Sequence, residues 1–266
     1  MREILSLIKA SFRTAISYRL SIVLSLASLL FSVVPIFFVS RALQDTMAKH
    51  ISTEGGVYFA FLLVGMIAYM YMSAAVNAIP TVVSSGVATG TLEALLATRA
   101  PLPSLLLGLI GYNFVWTTVR ALAFLGAGLL FGVHLAWGQL WSSLLILVLI
   151  VLSYLPFGLI GAALMLAFRT TGPLGSAVLI LSGLLGGVYY PTSVIPAGIQ
   201  QLSLAVPLTY GLRALRRTLL EGMPFSVVAP DVITLLGFVV LLTSLGLLAL
   251  AEALHYARRA GTLAQY

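Results

Sequence analysis

QLWSSLLILVLIVLSYLPFGLIGAALMLAF, residues 139–168, carries no charged side chain. A run of this length exceeds the ~20 apolar residues that cross ~30 Å of hydrocarbon, and within lipid a helix satisfies its own backbone. The stretch therefore predicts a transmembrane α-helix. It should bend near Pro156, which lacks an amide hydrogen and crowds the preceding turn. Trp137 and Trp141 stand at its start, where amphipathic rings favour the headgroup layer.

Similar runs lie on either side, at about 20–40, 57–80, 104–131, 174–190 and 232–254. The run from 174 is short for a full crossing at ~1.5 Å per residue, so it needs an extension or a broken helix. Asp231 stands before the last run as an N-cap, and Arg258 and Arg259 follow its end. At the N-terminus, Arg2, Glu3, Ser6, Lys9, Arg13 and Ser17 share one arc of a helical wheel, while Ile4, Leu5, Leu7, Ile8, Phe12 and Ile16 fill the rest. Residues 1–18 therefore read as an interfacial amphipathic helix. Between 191 and 222, Pro191, Pro196 and Pro207 break the chain into short helical pieces, the second with Leu208, Leu212, Leu215 and Leu219 opposite Arg213, Arg216 and Arg217. These pieces predict a re-entrant hairpin whose leucines are buried while its arginines meet water or headgroups. The expected fold is an all-α polytopic membrane protein: six spans, an interfacial helix at the start, and a re-entrant helical hairpin before the last span.

Composition agrees. Of 266 residues 61% are hydrophobic and 8% charged, against roughly a quarter charged in soluble domains. The net charge of +7 comes from Lys and Arg between apolar runs and at the chain ends, without the basic stripe and interleaved aromatics of a nucleic-acid surface. With both termini cytoplasmic, Arg2, Lys9, Arg13, Arg19, Arg99, Arg169, Arg258 and Arg259 lie inside, and Arg41, Lys49, Arg213, Arg216 and Arg217 outside. The positive-inside rule favours that orientation.

Several chemistries are excluded. There is no cysteine, hence no disulfide, thiolate site or cysteine nucleophile. His50, His134 and His255 have no partner at metal-ligand spacing, and no metal site is expected. No Gly-x-Ser-x-Gly or His-Glu-x-x-His pattern occurs. The lysines, Lys9 and Lys49, lack the glycine-rich turn of a P-loop, so the chain binds no ATP of its own and needs no cofactor. The spans hold almost no acids, which argues against proton or cation coupling through carboxylates. Gly126, Gly128, Gly132, Gly183 and Gly187 read as close helix contacts.

Arg120 is the charge deepest in a span. It contacts an anionic substrate group or a gate, or it is satisfied by backbone carbonyls. Tyr69, Tyr71 and Asn77 on the second span, with Tyr112, Asn113 and Trp116 on the third, join it as candidate pathway residues. Aromatic residues also fill helix interfaces, so packing is the competing role.

Gly90, Thr91, Leu92, Glu93, Ala94, Leu95, Leu96, Ala97 and Thr98, after the second span, resemble the cytoplasmic segment of ABC type-2 permeases, the class of drug and polysaccharide exporters. Pro191, Pro196, Pro207, Tyr210, Arg216 and Gly222 follow that family's pattern before the last span. Residues 84–89 lack the charges common before the first motif, and Val206 stands where asparagine often precedes the third proline. The resemblance covers nearly the whole chain. It implies two permease copies (this chain twice, or with a related permease) and two ABC ATPase subunits that bind ATP and Mg, in the cytoplasmic membrane of a prokaryote.

Within that resemblance, residues 84–100 are the coupling segment, with Gly90, Thr91, Leu92, Glu93, Leu95 and Leu96 meeting the ATPase. Leu92, Leu95 and Leu96 share one side of a short helix, and Glu93 either pairs with a basic ATPase residue or is a solvated charge. Pro191, Ile195, Pro196, Ile199, Pro207, Tyr210 and Arg216 form an outer lid. The expected function is export of an amphipathic or hydrophobic substrate: a drug-like molecule, a lipid or a lipid-linked glycan. A self-sufficient carrier or channel would instead run on an ion gradient alone, and a non-transporting assembly subunit would do neither.

Overall fold

A computed structural model describes residues 19–88, 102–168 and 173–259. Those residues form helices and no strand: α1 Arg19–Met47, α2 Tyr58–Ala88, α3 Leu102–Leu130, α4 Leu140–Phe168, α5 Leu174–Leu185, α6 Ala197–Ser203, α7 Pro207–Leu219 and α8 Phe225–Arg259. Short 3₁₀ turns, Trp137–Gln139 and Thr192–Val194, precede α4 and α6. Among the described residues, 5 stretches are long and apolar enough to cross a membrane: Ala27–Met47, Tyr58–Val82, Ile110–Leu130, Trp137–Met165 and Phe225–Ala253. The chain is a polytopic all-α membrane protein. The interfacial helix expected at 1–18 lies outside the described residues.

α4 lies at the centre, packed most extensively against α8 and α2, with α3 and α1 on the far side of α2. Hydrocarbon competes for apolar side chains as well as protein does, so such helices associate by close packing. Small residues permit it here. A Cβ added to Gly158 would sit 3.0 Å from the Ala75 carbonyl, and one on Gly246 3.1 Å from that of Pro156. Pro35, Pro80, Pro156 and Pro230 all lie inside continuous helices. Of the glycines expected at contacts, Gly128 abuts Leu63 and Gly183 abuts Tyr69, whereas nothing approaches Gly126 or Gly132.

α5 answers the problem of the short run. Its length is roughly 18 Å at 1.5 Å per residue, too little to cross. It runs antiparallel to α2, with Gly175 near Asn77 and Gly183 near Tyr69, then stops at Gly186 and Gly187. Leu208, at the start of α7, meets Gly186 there. A half-helix from one end and a hairpin from the other thus share one crossing. Pro207 opens α7 at a position whose amide hydrogen has no helical acceptor. Gly222, at φ 67°, closes it as Met223 N donates to the Arg217 carbonyl at 3.0 Å.

The loop at 48–57, the turn at 131–139 and the end of α7 meet at one end of the bundle, here the capped end. Gln44 Nε2 donates to the Gly56 carbonyl and its Oε1 accepts from Tyr58 N, both at 2.8 Å. Gly55 N donates to Glu221 at 3.0 Å, and Ala136 N to the Leu219 carbonyl at 2.8 Å.

Two expectations are corrected. Asp231 caps nothing: α8 begins at Phe225, and Asp231 lies within it, accepting from Arg213 Nε at 3.1 and 3.0 Å and also from Nη2. Arg216 does not face water or headgroups but is 2% exposed. At 100° per residue it stands roughly 80° around the helix from Leu208, on the flank of the leucine stripe; Arg213 and Arg217 are the residues opposite.

Candidate functional site

One face of α2 and one of α3 carry polar residues at helical spacing. Tyr69, Met70, Ser73, Ala74 and Asn77 on α2 face Asn113, Thr117 and Arg120 on α3 across a cleft of about 260 Å³. Four of the residues singled out from the sequence therefore meet: Tyr69, Asn77, Asn113 and Arg120. Ser73 and Thr117 join them, and the fourfold spacing 69, 73, 77 and 113, 117 was the signal that could have found both. The other three stand apart from the cleft. Tyr71 donates to the Thr118 hydroxyl at 2.9 Å, and Tyr112 and Trp116 are half-buried in the packing around α3.

Hydrogen bonds inside the cleft are local. Asn77 Nδ2 donates to the Ser73 carbonyl and the Thr117 hydroxyl to the Asn113 carbonyl, each at 2.9 Å. Arg120 is exposed to the cleft, and among the described residues it makes no ion pair and donates to no carbonyl. Arg120 lies roughly 15 Å along the axis from Leu130 and 27 Å from Leu102, within the span.

The hairpin covers the neighbouring crossing. Pro191, Ile195 and Pro207 are buried, Pro196 and Ile199 are exposed, and Tyr210 is half-buried with its hydroxyl donating to the Leu204 carbonyl at 3.1 Å. Arg216 holds the hairpin down. An arginine on a helix points back toward the N-terminus, which brings this guanidinium to the end of α5 and the start of α2. It donates to the Phe61 carbonyl from Nε at 3.3 Å and Nη2 at 3.1 Å, and to the Gly187 carbonyl at 2.9 Å. Nη1 meets Glu54 at 3.1 Å, and the guanidinium carbon lies 3.3 Å from the centre of the Phe61 ring. Glu54 and Asp231 carry no local pattern that marks them as partners of this helix.

The chain matches the ABC-2 type transporter family over residues 2–220, which takes in α1 through α7. It belongs to that family. No match to a curated protein accompanies this one. As an ABC-2 permease the chain is the transmembrane component of a transporter and is not itself catalytic. Gly90, Thr91, Leu92, Glu93, Leu95 and Leu96, expected from the sequence to meet an ATPase, lie outside the described residues.

Proposed function

We propose that this permease moves an amphipathic or hydrophobic substrate outward by alternating access, driven by a separate ABC ATPase. The observation that carries the reading is the family match across residues 2–220. The assembly has two ATPase subunits, which bind ATP and Mg, and a second copy of this permease or a related one. It sits in the cytoplasmic membrane of a prokaryote with both termini inside. Substrate passes along the polar cleft of Tyr69, Asn77, Asn113 and Arg120, and the hairpin anchored by Arg216 closes the outer end. The substrate is a drug-like molecule, a lipid or a lipid-linked glycan. Residues 90–96 transmit ATPase closure to α2 and α3, the two helices that flank them in sequence and line the cleft.

Co-reconstitution tests this. Liposomes holding permease and ATPase should export a labelled amphiphile only with ATP, and liposomes holding the permease alone should not. Transport by the permease alone down an ion gradient would make it a carrier. Orientation is read by labelling cysteines at Ser52 and Ser193 from outside and one at Thr98 only after permeabilisation.

A further inference from the structure

We propose that the α2–α3 cleft is an anion site: it holds the carboxylate or phosphate head of an amphipathic molecule, with Arg120 as the counter-charge. Binding stands on the cleft itself; that the bound molecule is the transported substrate rests on the permease reading above.

A guanidinium inside a span is costly unless it is satisfied, and this protein shows how it satisfies one when the purpose is structural. Arg216 is enclosed by the Phe61 and Gly187 carbonyls and the Glu54 carboxylate. Arg120 has none of these among the described residues, although it lies deeper within its helix than Arg216 does. Its five N–H donors point to a partner that arrives from outside the chain.

The surroundings select the sign and shape of that partner. α2 and α3 contain no Asp or Glu, so nothing in the cleft repels an anion. Asn113 adds a side-chain amide and Tyr69 a hydroxyl, neither with a hydrogen bond among the described residues. A planar guanidinium suits the paired oxygens of a carboxylate or phosphate, and the Asn113 amide lines the same cleft. The rest of the wall alternates the small polar groups of Ser73, Asn77 and Thr117 with apolar side chains. Met70 and Ala74 give an alkyl tail apolar surface to follow beside the guanidinium. A free inorganic ion offers nothing to that surface and would pay its full desolvation on entering.

Binding is measured on the purified full-length permease in neutral-lipid nanodiscs, without ATPase. Dodecyl phosphate and dodecanoate are the anionic probes, dodecyltrimethylammonium the cationic control, and inorganic phosphate the tail-less competitor. Wild type should bind dodecyl phosphate about tenfold or more tighter than the cationic amphiphile, with inorganic phosphate failing to compete. Arg120→Gln should lose about that factor, Arg120→Lys should keep a larger part of it, and Arg120→Glu should favour the cation. Where Arg120→Gln does not yield monodisperse protein, Asn113→Leu is read in its place and should weaken dodecyl phosphate by about threefold or more. Unchanged dodecyl phosphate binding in the variant read overturns the proposal, as does wild-type preference for the cation or full competition by inorganic phosphate. Because no ATPase is present, a wild type that binds but shows no ATP-driven transport counts against the exporter reading and leaves the anion site standing.

Discussion

Arg216 Nη1 lies 3.1 Å from the Glu54 carboxylate, joining the hairpin helix α7 to the loop between α1 and α2 across 162 positions of sequence. The guanidinium is 2% exposed and the carboxylate side chain 18%. This pair ties the re-entrant hairpin to the capped end.

Glu54→Ala leaves a buried charge with carbonyls alone, a change that costs ~3–5 kcal/mol in fully buried pairs. The partial exposure of Glu54 reduces that, to about 2 kcal/mol. Thermal unfolding of the purified permease should show the loss. Arg216→Lys should lose stability too, because an ammonium cannot reach two carbonyls and a carboxylate in one plane. Unchanged melting in both variants would remove the pair as the hairpin's anchor.

Gly65 faces the same guanidinium. A Cβ there would stand 2.5 Å from the Val188 carbonyl and 2.8 Å from Arg216 Nη2. Gly65→Ala should therefore push the α5 end and the hairpin apart, at a cost of about 1–3 kcal/mol. A cysteine at Ile195, buried in the wild type, should label faster in this background than in the parent. Equal labelling rates would mean the displacement is absorbed elsewhere.

Ile195 and Ile199 should behave differently. Ile195 is 9% exposed and Ile199 48%. Ile195→Gln buries an unpaired amide and should loosen closure by ~1–3 kcal/mol, while Ile199→Gln should change accessibility of the capped end little. Maleimide labelling at Ser193 in each variant compares them, and an equal effect of the two would argue against a lid that packs through Ile195.

Glu93→Arg tests coupling. If Glu93 pairs with a basic ATPase residue, reversing its charge places like charges in contact, whereas Glu93→Ala loses only ~1 kcal/mol. Insertion should be intact, with ATPase co-purification reduced. Wild-type co-purification and transport would confine coupling to Leu92, Leu95 and Leu96.

The spans were legible because hydropathy is a local property. An uncharged stretch such as 139–168 has one low-energy state in hydrocarbon, whatever packs beside it. The same logic marked the run from 174 as too short to cross, since helix length follows from residue count alone. It could not say what completes the crossing: the meeting of Gly186 with Leu208 depends on where α7 folds back.

Polar partners belong to the second kind of information. The wheel separated the leucines of α7 from Arg213 and Arg217, yet set Arg216 with the exposed pair, because a position on the flank of a stripe is buried or exposed according to its neighbours. Phe61, Gly187 and Glu54 are those neighbours, and none is near Arg216 in sequence. Asp231 looked like a cap because its role as acceptor for Arg213 exists only once α8 lies against α7. Sequence alone likewise marked Arg120 as a charge out of place in a span. Only the assembled bundle decided that no carbonyl or carboxylate among the described residues claims it, since that depends on how α2 and α3 are set side by side.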